Sequence, residues 1–120
     1  MSSEEHNLLG KISLSPTAVA TVASQAALQS YGVVGMAAKN VVDGLTNIIT
    51  RDPRHGIEVL FQEGGVVINV FVIVEYGTRI STVANSLANA VTFNVEKTLG
   101  LHVKEVNVHV QGLRISHPTA

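Results

Sequence analysis

An α+β fold is what this sequence predicts: a two-layer sandwich with helices packed on a mostly antiparallel sheet, in the order β-α-(link)-α-β-β-α-β. Three observations lead there. Residues Val66 to Val74 are apolar on both faces apart from Asn69, as a central strand covered on two sides requires. Ile80, Val83, Ala84, Leu87, Val91, Val95 and Leu99 form a stripe at helical spacing that closes at Gly100, a natural C-cap. In the last strand Val106, Val108 and Val110 point one way while Glu105, Asn107, His109 and Gln111 point the other, giving it one dry and one wet side.

The remaining elements follow in chain order. Residues 1–9 read as a disordered lead, and Lys11-Ile12-Ser13-Leu14-Ser15 alternates like a half-buried strand. Ser15 then serves as N-cap and Pro16 as first residue of a helix that presents Val19, Val22, Ala23, Ala26 and Ala27 on one narrow face and ends near Tyr31-Gly32. Gly32-Val33-Val34-Gly35-Met36 is a glycine-bracketed link, either a short strand or a tight turn. A second helix is expected over 38–50 from Val41, Val42, Leu45, Ile48 and Ile49, weakened by Gly44. Asp52 to Gly56 is a turn. Strands 57–62 and 66–76 are joined by Glu63-Gly64-Gly65 as a β-hairpin, and the closing strand runs over 103–110. One domain spans 10–115, with 116–120 as a disordered tail.

Composition narrows the function. The chain is 46% hydrophobic but only 14% charged, well below the ~25% charged residues of ordinary domains, so part of its surface is expected to lie against a partner. A net charge of −1 supplies no field to attract phosphate backbones or acidic membranes. There is no cysteine, and hence no disulfide, thiolate nucleophile or Cys-based metal site. The first residues are polar and acidic and no apolar run approaches the ~20 residues of a bilayer span, which predicts a cytoplasmic protein without direct membrane insertion.

Catalytic constellations are not apparent. His6, His55, His102, His109 and His117 lack the spacing that brings two imidazoles to one metal, and the carboxylates fall on turns, strand edges and polar helix faces. Neither a nucleophile elbow nor a phosphate-binding loop is present. The expectation is therefore no enzyme, no cofactor and no metal. One rival remains. Gly32-Val33-Val34-Gly35 has the bare spacing of the loop that joins two helices in KH RNA-binding modules, although two valines replace the polar pair and Lys39 is the one nearby cation. Candidate protein contacts are Asn107, His109 and Gln111 on the wet strand face, with Phe71 and Ile73 if the helix over 38–50 leaves their side bare.

The segment Gly100-Leu101-His102-Val103-Lys104-Glu105-Val106-Asn107-Val108-His109-Val110-Gln111-Gly112 resembles the signature of the alkaline shock protein (Gls-type general stress) family, with Val-Asn-Val-His-Val-Gln-Gly its most specific part. Gly10-Lys11-Ile12 with Leu14-Ser15, Gly32-Val33-Val34-Gly35-Met36 and Val74-Glu75-Tyr76-Gly77 stand in matching order, so the likeness covers about 10–115. It implies a non-catalytic cytoplasmic scaffold or adaptor of the bacterial envelope stress response that forms homo-oligomers and gathers at the inner face of the membrane through an anchored protein partner. It assigns no catalytic or binding residues.

Overall fold

The computed structural model describes residues 14–38 and 49–115. Helix α1 (Pro16–Leu28) starts as its sequence demands: the Ser15 hydroxyl accepts from the Ala18 N–H at 3.2 Å and Pro16 occupies the first turn. It ends at Leu28, one turn earlier than Tyr31-Gly32, because the chain turns back through Gly32 at a φ of 85°. Strand β1 (Val33–Met36) follows, then a 3-10 turn (Pro53–Gly56), β2 (Ile57–Gln62), β3 (Gly65–Glu75), α2 (Ile80–Leu99) and β4 (Val103–Arg114).

The sheet is organised around β3. Strands β1 and β2 both run antiparallel to it along one edge, β1 beside Val72–Val74 and β2 beside Gly65–Val70, with Gln62 facing Gly65 across the two-residue turn. Strand β4 occupies the other edge and runs parallel to β3, because α2 carries the chain back across the sheet before β4 begins. That register breaks twice. Val66 pairs with Val103 but Val67 with Glu105, and Val72 pairs with Val110 but Ile73 with Gly112, so Lys104 and Gln111 are bulged residues.

Both helices cover one face. Val66, Ile68, Val70, Val72 and Val74 point into a core completed by Val19, Ala23, Ala26 and Ala27 of α1 and by Val83, Leu87, Val91 and Val95 of α2. The alanines let α1 approach the strands closely, and Gly100 at a φ of 73° closes α2 as expected.

Two expectations are corrected and one open alternative is decided. Of the N-terminal strand, residues 11–13 lie outside the described residues, while Leu14 and Ser15 are not extended sheet. The glycine-bracketed link is a strand. Of the helix expected over 38–50, residues 39–48 lie outside the described residues, but its end is not helical: Ile49 bridges Ala37 and the Thr50 N–H donates to Met36 O at 2.7 Å. Thr50 and Ile49 thus continue the β1 edge, since a sheet partner satisfies backbone groups that a helix end would leave open.

Candidate interaction face

The face of the sheet away from the helices carries the odd-numbered side chains of β3. Glu58 of β2, Asn69 of β3 and Asn107 of β4 lie in one row because their Cα positions are paired across the strands. The Asn69 side-chain N–H donates to Glu58 Oε1 at 3.1 Å, and its Oδ1 accepts from Asn107 Nδ2 at 3.0 Å. Asn107 Nδ2 also donates to Glu105 Oε2 at 2.9 Å. The result is a polar ladder, Glu58 to Asn69 to Asn107 to Glu105, crossing three strands. Beside it the His109 ring stacks on Phe71, centroids 4.5 Å apart and planes 11° from parallel, with His109 Nε2 3.5 Å from Asn69 Oδ1.

Asn69 is the hub of this row. Removing its amide strips Glu58 and Asn107 of half-buried partners, which costs about 1–2 kcal/mol. Asn69→Ala is therefore expected to lower the urea midpoint, whereas Gln62→Ala, at the strand end, leaves it nearly unchanged; equal small shifts in the two variants would contradict the ladder's structural role.

The five candidate contact residues do not share one fate. Asn107, His109 and Phe71 come together around Asn69, with His109 exposed and the other two half-buried. Gln111 sits in the second bulge, half-buried. Ile73 is 0% exposed and cannot itself meet a partner. Its side is closed at the β1 end: Ile73 pairs with Gly35, and the Ile49 side chain fills the space a side chain at Gly35 would take, within 2.7–2.9 Å of such a Cβ. Spacing alone missed Glu58 and Asn69, although an amide interrupting an otherwise apolar strand was the signal for Asn69.

The Gly32–Gly35 segment is not a helix-to-helix loop. Val33, Gly35 and Met36 are paired to β3 and Gly32 O accepts from the Glu75 N–H at 2.8 Å, so their backbone groups are committed to the sheet and do not form a phosphate cradle.

An open cleft of about 400 Å³ lies between the start of α1 and β2, lined by Pro16, Thr17, Asp52, Arg54 and Ile57 among others. His55 and Glu58 also line it, and two of its charged side chains, Asp52 and Arg54, are tied to each other. Arg54 Nε and Nη2 donate to the Asp52 carboxylate at 3.0 and 2.9 Å, and the Arg54 backbone N–H donates to Asp52 Oδ1 at 3.1 Å. These donors, the guanidinium first, hold the Asp52 carboxyl down at about 2. Since the folded value is depressed, any stabilisation from the pair is present above the ordinary value of 3.8 and fades as pH falls from there through about 2. Carboxyl NMR titration should find Asp52 near 2, and Arg54→Ala should raise it; an Asp52 that titrates near 3.8 in the unaltered chain would contradict the geometry.

Among the described residues no group of three or more His, Cys, Asp or Glu could hold a metal ion, and no helix is long and apolar enough to cross a membrane. Residues 4–115 match the model of the alkaline shock protein 23 family, described as having a cell envelope-related function. The chain is 41% identical over 120 residues to the uncharacterized protein YloU of Bacillus subtilis, covering 98% of this chain and 100% of that one. It is 34% identical over 108 residues to the uncharacterized protein Spy1614 of Streptococcus pyogenes, covering 88% and 89% of the two chains. A third relative, the uncharacterized protein YqhY of Bacillus subtilis, is 24% identical over 110 residues, covering 92% of this chain and 82% of that one. No solved structure matches.

Proposed function

The chain belongs to the alkaline shock protein 23 family, whose function is cell envelope-related, and on that premise we propose that it is a non-catalytic scaffold or adaptor of the envelope stress response. It acts by associating with itself and by holding a protein partner, which in turn can be anchored in the membrane. The observation that carries this reading is the ordered polar ladder on the sheet face opposite α1 and α2. Glu58, Asn69, Asn107 and Glu105 are fixed to one another and the His109 ring is stacked on Phe71. A surface whose side chains are already ordered loses little conformational entropy on docking. The low charge of the chain points the same way, since it leaves apolar and amide surface that a partner can cover. A catalytic reading has less to stand on: in the cleft beside α1 Arg54 and Asp52 are bonded to each other and Glu58 accepts from Asn69.

The experiment is affinity capture from a membrane extract, with the captured protein identified and its binding remeasured with purified components. The unaltered chain is expected to retain one saturable partner that Asn107→Arg loses and Thr82→Glu, an exposed change on α2, keeps. A chain that stays monomeric at micromolar concentration and retains no partner would overturn the proposal.

A further inference from the structure

Strand β4 is an edge strand. Among the described residues it pairs with β3 alone, and an unpaired edge presents a row of N–H and C=O groups ready for another strand. Bulges at Lys104 and Gln111 interrupt it at both ends, but between them Glu105 to Val110 keeps one unbroken register beside Val67 to Val72. Among the described residues nothing covers the edge over those six residues.

We infer that Glu105 to His109 of this run pair antiparallel with the same five residues of a second copy, about a two-fold axis through Asn107, joining two sheets into one. The inference rests on the self-association proposed above and names the surface that carries it. Two observations single out a second copy as the occupant.

The first is self-complementarity. Centred on Asn107, the pairing sets Glu105 opposite His109 of the second copy and His109 opposite its Glu105, with Asn107 facing Asn107 between them. On the helix-covered side Val106 meets Val108 and Val108 meets Val106. Directly opposed side chains are the ones that interact across strands, and here every such pair is an acid with an imidazole, an amide with an amide, or a valine with a valine. Glu105 and His109 are exposed in the single chain, and Asn107 donates twice through Nδ2 while its Oδ1 accepts from no group among the described residues.

The second is an incomplete core. Val106, Val108 and Val110 face the helices, yet each is only half-buried, whereas their neighbours Ile68, Val70 and Val72 on β3 are at 0% exposure. The difference lies along the open edge, where Val106 and Val108 would each meet a valine of the second copy and the layer would continue across the axis. A two-fold axis perpendicular to the sheet keeps both copies' helices on one side and closes the assembly at two, as isologous contacts do.

The absence of cysteine makes the test direct. Paired residues of antiparallel strands sit about 4.5–5.5 Å apart at Cα, within disulfide range. Asn107→Cys is expected to form a disulfide-linked dimer under mild oxidation, while Leu113→Cys, an exposed position off the axis, does not; reduced samples of both should unfold in one cooperative transition, that of Asn107→Cys at the lower midpoint because Asn69 loses the amide it accepts from. Independently, His109→Glu places carboxylates opposite each other twice and is expected to weaken association about tenfold, and Glu105→Lys with His109→Glu in one chain restores it. A chain that associates but cross-links no better at 107 than at 113, with no rescue by the charge exchange, would overturn this pairing and leave self-association standing on another surface. A chain that does not associate at all would remove both.

Discussion

Replacing Leu87 by alanine is expected to lower the unfolding free energy by about 3 kcal/mol, the middle of the range for deleting a buried leucine side chain. Leu87 is fully buried at the centre of the α2 stripe, one helical turn from Val83 and from Val91, and the core it enters is built from the valines of β3. Aromatic residues are only 4% of the chain, so no large ring stands ready to collapse into the space left behind. Against a total stability of about 5–15 kcal/mol for a domain of this kind, the loss is a substantial fraction. Urea unfolding followed by far-ultraviolet circular dichroism should show the midpoint falling by roughly 2 M. A shift below about half a molar would mean that α2 does not pack on the sheet as described.

Gly32→Ala is the second large effect, and its cause is backbone as much as packing. Gly32 sits at a φ of 85°, where a side chain costs about 1–2 kcal/mol. A Cβ there would also come within 2.6 Å of Val83 Cγ2 and 3.6 Å of Thr78 Cγ2, so the start of α2 must shift to admit it, at about 1–3 kcal/mol more. The expected total is about 2–5 kcal/mol. Gly64→Ala is the comparison: its φ is also positive, but nothing lies within 4 Å of the added carbon, so only the conformational part is lost. Equal losses at the two positions, measured by the same urea unfolding, would contradict the contact with Val83.

These two residues mark what could be read from the sequence and what could not. Leu87 was legible because a seven-member stripe at helical spacing has one structural solution, and the same holds for Ser15-Pro16 at the start of α1, Gly100 at the end of α2 and the hairpin connection read at Glu63-Gly64-Gly65, of which Gly65 proves to be the first residue of β3. Each of these signals is local: the residues that cause the structure are neighbours in the chain. Gly32 was legible as a break but not as a contact with Val83, which lies 51 positions away. Strand β1 was ambiguous for the same reason, since four residues give too few alternations to separate a strand from a turn, and its pairing with β3 decides the matter.

The candidate site was half visible. One strand's alternation brought Asn107, His109 and Gln111 forward, and a strand needs no partner to show which side is wet. The ladder depends on register between strands: Glu58 reaches Asn69 across 11 positions and Asn69 reaches Asn107 across 38, and a shift of one residue in either pairing would send Asn69 to the opposite face from its partners. Ile73 is buried, and its surroundings are equally non-local: it pairs with Gly35, beside whose bare Cα the Ile49 side chain lies. The parallel course of β4 and its two bulges are likewise set by α2 and by β3, and only the bulges leave Glu105 to Val110 as a regular run.

Sedimentation velocity of the unaltered chain between about 1 and 100 µM is the most direct measure of the central claim, since free energy per mole of subunit sets the concentration at which association appears. The account predicts a concentration-dependent boundary that moves from the 12.7 kDa chain toward a species of twice that mass. A single 12.7 kDa species across the whole range would contradict it.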